Sequence, residues 1–321
     1  MLIFQEIVDQ AVLEKSEWGL DIYFDMLRVF KAAAPWTCAS VCKHWRNICL
    51  SCPRLWTKIT QWDIPMNLPN LVAFQSRRIT TQLERSGSSP LIGYLDGIEA
   101  RLGVYRPELE LSALGQLLAS FHRFDTLELR GEMPTGIAPS SSEAYNLLEN
   151  LLIEGQWWLG DANGFFQKTP TLKSLILRNM PKFSPRRSYH NLVSWATVTT
   201  LRIDYSPRNY PARFEPEPAF SFQNLMHILS LTPRLSSLTL SPDSVRTSSD
   251  EASVTVVLSS LQHLHTCSPG LNAIDFLKKL RAPKLRTLNT GDTHPMSSRA
   301  LLPFIQQSAN GSRIESLTIS V

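Results

Sequence analysis

No apolar stretch in this sequence is long enough to cross a bilayer. The longest run without Asp, Glu, Lys or Arg, Ala252–Ile274, is interrupted by Gln262, His263, His265 and the Pro269–Gly270 pair, which excludes a membrane-spanning helix. The opening MLIFQEIVDQAV carries Glu6 and Asp9, has no basic n-region or long apolar h-region, and is not expected to act as a secretory signal peptide. Cysteine is sparse and odd in number, five in 321 residues, at positions 38, 42, 49, 52 and 267. A disulfide framework belongs to short secreted chains, so a reducing compartment, cytoplasmic or nuclear, is expected. Net charge is small as well, +4 from 32 basic and 28 acidic residues. The densest basic cluster, Lys278, Lys279, Arg281, Lys284 and Arg286, reads as a solvated edge, so no nucleic-acid partner is expected.

Catalytic signatures are absent in the same way. There is no G-x-G-x-x-G, P-loop, nucleophile elbow or His-Glu-x-x-His, and the acidic residues are scattered rather than paired. Cys38-x3-Cys42-x6-Cys49-x2-Cys52 invites a zinc reading, but three of these thiols fall on the apolar stripe of one predicted helix. His263-x-His265-x-Cys267 lacks an obvious fourth ligand. The sequence therefore points to a protein that is not an enzyme and needs neither metal nor cofactor.

What the chain does contain is a hexad of the form Leu-x-x-Leu-x-Leu, returning eight times. It reads FDTLEL at Phe124, LENLLI at Leu148, LKSLIL at Leu172, VTTLRI at Val198, LSSLTL at Leu235, LQHLHT at Leu261, LRTLNT at Leu285 and IESLTI at Ile314. The steps between them, 24, 24, 26, 37, 26, 24 and 29 residues, are those of leucine-rich repeats, each a short strand with a returning segment. Such units bury their apolar side only by stacking into a solenoid. Alternation along each strand sends the leucines inward and the intervening residues to a concave strip. That strip begins with Thr126, Glu128, Arg130; Asn150, Leu152, Glu154; Ser174, Ile176, Arg178; and Thr200, Arg202, Asp204. It continues with Ser237, Thr239, Ser241; His263, His265, Cys267; Thr287, Asn289; and Ser316, Thr318. Polar, mixed in sign and rich in Ser and Thr, it suits a protein or peptide client. Glu128, Arg130, Arg178, Arg202, Asp204, Thr239, His263, His265 and Asn289 are the candidate client-binding residues. The proline-rich Tyr205–Phe220 reads as a loop inserted at the rim.

Residues 1–60 read as helical. Ile3, Ile7, Val8, Ala11 and Val12 share one face, and Leu20, Tyr23, Phe24, Leu27 and Phe30 form a second set. Pro35 opens a third helix that places Cys38, Val41, Cys42, Trp45, Ile48 and Cys49 on one stripe. Pro53 ends that helix, and Leu55–Trp56 follow as a short apolar hook. Residues 61–89 read as a connector with one helix from Leu68 to about Arg85, closed by Ser86–Gly87, and Ser89–Leu95 as an irregular first strand.

Three short helices whose stripe contains VCKHWR, with a trailing LW, resemble an F-box. The segment QLERSGSSPLIGYLDG (Gln82–Gly97) is similar to the link between F-box and repeats in a group of fungal F-box proteins. A Leu-Pro-x-Glu-type opening, common in that family, is not among the residues here, which start at Met1-Leu2-Ile3. The resemblance implies an α/β chain: a three-helix F-box (1–60), a helical linker (61–89) and an irregular leucine-rich-repeat solenoid (90–321). It implies docking to the Skp-family adaptor of an SCF (cullin–RING) ubiquitin ligase. The adaptor-side and F-box-core residues would be Leu2, Ile3, Ile7, Val8, Val41, Cys42, Trp45, Arg46, Leu55 and Trp56. The alternative is a ligase-independent leucine-rich-repeat scaffold.

Overall fold

A computed structural model describes residues 35–61, 69–96, 116–117, 119–132, 145–156, 169–179, 193–204, 220–241, 245–246, 255–266, 276–290, 298–309 and 314–319. The expectations for the first two helices, and so for Leu2, Ile3, Ile7 and Val8, lie outside them. So do Cys267 and nearly all of the proline-rich insertion. The chain is mixed α/β, and its largest sheet has ten strands. The described residues fall into two compact units, one within 1–94 and 104–124, the other within 95–103 and 125–321.

In the first unit, helix α1 (Trp36–Val41) is followed by α2 (Lys43–Ser51), a 3-10 turn (Pro53–Trp56), strand β1 (Lys58–Gln61), the long helix α3 (Pro69–Ser86) and strand β2 (Leu91–Asp96). The single third helix read from the sequence is thus two helices. Cys42 between them is extended, at φ −158° and ψ 171°. At the break a side chain takes a carbonyl that a continuing helix would pair through its backbone. Arg46 Nε donates to Ala39 O at 3.0 Å, and Ser40 Oγ donates to Thr37 O at 2.7 Å within α1. Because the break resets the helical phase, the expected stripe splits: Cys38 and Cys49 are buried with Leu55 and Trp56, while Val41, Cys42 and Trp45 face outward.

The remainder of this core is aromatic and cationic. Trp36 and Trp56 meet edge to face with ring centroids 5.0 Å apart. The Arg85 guanidinium lies 4.3 Å from the Trp56 ring centroid and 5.2 Å from that of Trp36, which is cation–π geometry. Helix α3 ends as its sequence predicts. Gly87 adopts φ +55°, and Arg123 Nη2 donates to Ser86 Oγ at 2.7 Å and Ser89 O at 3.1 Å.

In the second unit all eight hexads become strands. They are β3 (Phe124–Glu132), β4 (Asn150–Gln156), β5 (Ser174–Arg178), β6 (Thr200–Asp204), β8 (Ser237–Leu240), β11 (His263–Thr266), β13 (Thr287–Thr290) and β14 (Ser316–Ile319). Each pairs with the next in parallel, with no slip in register: Leu127, Leu151, Leu175, Leu201, Leu238, Leu264, Leu288 and Leu317 form one continuous row. The interspersed β7 (Phe220–Ser221) pairs with β9 (Val245–Arg246), and β10 (Val256–Val257) with β12 (Leu280–Arg281). Helix α4 (Phe222–Ser230) buries Phe222, Leu225, Met226, Ile228 and Leu229. Helix α5 (Ser298–Ala309) buries Phe304 and Ser308.

Two devices hold the register. The carbonyl of Glu149 accepts N–H groups from both Lys173 and Ser174, and the carbonyls of Lys173, Thr199, Ser236, Gln262 and Arg286 repeat the arrangement one rung onward at 2.8–3.1 Å. Three residues before each of the first seven hexads lies a further buried layer that the hexad pattern did not anticipate: Phe121, Tyr145, Thr169, Trp195, Thr232, Leu258 and Ala282. Its backbone closes tight turns onto the hexads, Leu172 N to Thr169 O at 3.2 Å, Leu235 N to Thr232 O at 3.1 Å and Leu285 N to Ala282 O at 3.1 Å. In these three turns Pro170, Pro233 and Pro283 occupy the second position, where their fixed φ is favourable.

Candidate functional site

Each unit presents one surface that matters for function. In the first unit, Val41 is 63% exposed and Trp45 36%; Cys42 and Arg46 are exposed beside them, as is Leu50. Leu55 and Trp56 are instead interior. Trp56 donates Nε1–H to Cys49 O at 2.7 Å, which fixes the turn after α2. The residues named together from the sequence therefore divide into an exposed group of four and a buried pair. Leu50 was not named; its placement depends on the break at Cys42. The thiols of Cys38 and Cys49 are pushed upward in pKa by burial, with Cys38 and Cys52 adding to the effect at Cys49, so neither is an activated nucleophile.

In the second unit, alternation places polar side chains on the outward face of the eight strands. The best-defined feature there is a charge ladder. Arg130, Glu154, Arg178 and Asp204 occupy one register column on β3, β4, β5 and β6. Adjacent parallel strands lie about 4.8 Å apart, so same-register side chains are neighbours and alternating sign makes every contact attractive. Glu154 lies 3.7 Å from Arg130 Nε and 3.5 Å from Arg178 Nη1; Arg178 Nε lies 3.7 Å from Asp204. Glu128 pairs with Arg130, and Arg202 Nε reaches both oxygens of Asp204 at 2.7 and 2.9 Å.

Asn179, just past β5, ties two members of the ladder together. Its Nδ2 donates to Glu154 Oε1 at 3.0 Å and its backbone N–H to Asp204 O at 2.9 Å. This requires φ +49°, a conformation in which Asn is among the few favoured non-glycine residues. The structure thus joins five of the nine client-binding candidates, Glu128, Arg130, Arg178, Arg202 and Asp204, and adds Glu154 and Asn179. The acids are the recessed members and Arg202 the most exposed. Three cations and three anions cancel, so the ladder orders the surface without making it strongly charged. Its alternating signs at steps of 24, 24 and 26 residues were visible in the sequence.

The other four candidates lie on β8, β11 and β13. Thr239, His265 and Asn289 share one register column; His263 and Thr287 share the next, with His263 Nδ1 2.8 Å from Thr287 Oγ1. This part of the face is uncharged and rich in donors and acceptors. On the inner face, Thr266 and Thr290 occupy the row filled by Leu129, Ile153, Leu177, Ile203 and Leu240 in earlier rungs, and both are buried. Leu317 departs from the inward pattern: it is 46% exposed.

Among the described residues no group of three His, Cys, Asp or Glu side chains could hold a metal ion, and no helix is long and apolar enough to cross a membrane. Comparison with protein-family models and with curated proteins gave no match.

Proposed function

We propose that this chain is a non-catalytic substrate receptor of an SCF-type ubiquitin ligase, in which an N-terminal F-box docks a Skp-family adaptor and a leucine-rich-repeat solenoid holds a client protein. The carrying observation is the unslipped stack of eight hexad strands with polar columns turned outward. Stacked repeats of this kind form extended recognition surfaces. Support for the adaptor side comes from Val41, Trp45 and Arg46, an apolar–aromatic–basic group left exposed on α1 and α2, of the type that forms interface anchors. The ligase role is proximity: holding a client near a charged conjugating enzyme raises its effective concentration.

The test is co-purification of the full chain with a Skp-family adaptor. Binding is expected for the native chain and lost for a Val41→Asp variant whose melting temperature is unchanged. Folded native chain that recovers no adaptor overturns the reading. The extended break at Cys42, inside the stretch that carries the F-box resemblance, favours the ligase-independent scaffold as second reading, and the same experiment separates the two.

A further inference from the structure

We propose that the outward face of β4 and β5 is a recognition site for an extended client segment that carries an apolar anchor with an acidic residue two positions away. In the outward column that starts at Glu128 on β3 and ends at Thr318 on β14, six members are polar and two, Leu152 and Ile176, are apolar. These two are register partners on adjacent strands, and each keeps part of its surface open. The core does not need them: Leu151, Ile153, Leu175 and Leu177, on the inner side of the same strands, are at most 2% exposed. Strand formation does not need them either, since Thr239 and Thr318 fill the same column on β8 and β14 with another β-branched type.

Arginines border the apolar pair. Arg202 follows Ile176 in the column one strand on, Arg178 lies two residues along β5, and Arg130 stands diagonally from Leu152 on β3. The side chains of Arg202, Arg130 and Arg178 are 50%, 37% and 30% exposed, against 12–17% for Asp204, Glu128 and Glu154. A partner therefore meets guanidinium groups first, although the ladder sums to zero. Arg178 is the central one. Its contacts to Glu154 and Asp204, at 3.5 and 3.7 Å, are ion pairs longer than good hydrogen bonds, which leaves its planar fork able to take a carboxylate. Charge complementarity thus calls for acid, and the cancelled sum limits it to one or two residues rather than an acidic tract. A nucleic-acid backbone would meet three carboxylates here and no net positive charge to hold it. Spacing places the acid relative to the anchor: Ile176 and Arg178 are two residues, roughly 6.6 Å, apart along β5, the same interval that separates same-side residues of an extended segment. An apolar centre with an arginine rim is the arrangement that concentrates binding energy in protein recognition, while the charges set register. The inference rests on the outward face being the client surface and not on the adaptor side of that reading.

The test selects a displayed library of short random peptides on the full chain. Enriched peptides are expected to carry Leu, Ile, Met or Phe with Asp or Glu two positions away. A synthetic peptide of that kind, followed by fluorescence anisotropy, is expected to bind Ile176→Thr and Arg178→Gln each about 10-fold or more weakly than the native chain. Replacing its acid by the amide is expected to weaken binding to the native chain by about 10-fold and to leave binding to Arg178→Gln unchanged, a coupling that loss of folding does not mimic. No enrichment over an unrelated protein, enriched peptides without acid, or equal binding by the native chain and both variants overturns the proposal. So does a short oligonucleotide that binds the native chain and not Arg178→Gln, or a dimer in light scattering that Ile176→Thr dissolves, since the face would then serve nucleic acid or a second copy. Failure of adaptor co-purification leaves this result standing, and failure here with the adaptor recovered leaves a receptor whose client sits elsewhere.

Discussion

Trp56 donates its indole N–H to the backbone carbonyl of Cys49 over 2.7 Å, in a position with no exposed surface. Eleven positions earlier in the sequence, Trp45 lies on the outside of α2. Two tryptophans of one short segment thus have opposite duties. Trp56→Phe is expected to destabilise by about 1–3 kcal/mol, because it leaves a buried carbonyl without its donor. Trp45, 36% exposed, still has most of its surface covered, so Trp45→Ala is expected to cost about 1–3 kcal/mol through lost packing, against about 3–5 kcal/mol for Trp56→Ala. Denaturant titration of both alanine variants checks the contrast, and equal costs would contradict the burial described above.

Glu154 is the hub of the charge ladder, receiving Arg130, Arg178 and Asn179. Glu154→Gln is expected to cost about 1–2 kcal/mol, since it removes one charge from between two cations and disturbs a donor pair that holds a left-handed residue in place. The Arg178–Asp204 pair is partly exposed and 3.7 Å apart, so a double-mutant cycle on it is expected to give about 0.2–1 kcal/mol, less in high salt.

Leu288 and Leu317 sit side by side in the leucine row. Leu288→Ala is expected to cost about 2–5 kcal/mol because it opens a cavity in packed surroundings. At Leu317, 46% exposed, the same change is expected to cost only about 1 kcal/mol. Paired thermal melts decide it.

Asp125 is held above the usual carboxylate range mainly by burial, with Glu149 adding to the effect and hydrogen bonds from Thr126 and its own backbone opposing it. Its folded pKa exceeds its unfolded pKa, so the folded state binds the extra proton between those two values. Its contribution is then fully favourable below the unfolded pKa and diminishes as pH rises through the folded one. Asp125→Asn is therefore expected to raise the melting temperature at neutral pH, with the gain vanishing in acid below the ordinary Asp pKa. Melts of both proteins across that range measure it.

The eight hexads announced their strands and placed Arg130, Glu154, Arg178 and Asp204 on the outward strip, because a period-two side-chain pattern combined with in-register stacking leaves little freedom; their pairing as a charge ladder came from the structure. Gly87 likewise announced the end of α3. The layer at Phe121, Tyr145, Thr169, Trp195, Thr232, Leu258 and Ala282 was harder to see. Its members share a place in a turn rather than a residue type, and only the recurring Thr/Ala-Pro-x-Leu hints at it.

What the sequence determined by itself was the rung: where each strand begins, which side chains point inward, and which residues line the outward strip. These are properties of local period and spacing. Tertiary structure alone decided which apolar residues are covered. Val41 and Trp45 lost their place in the core where the chain runs extended at Cys42 and α1 and α2 part, and Leu317 kept the residue type of a core position without the neighbour that would bury it. Burial is a relation between segments, and no single hexad or helix stripe contains it.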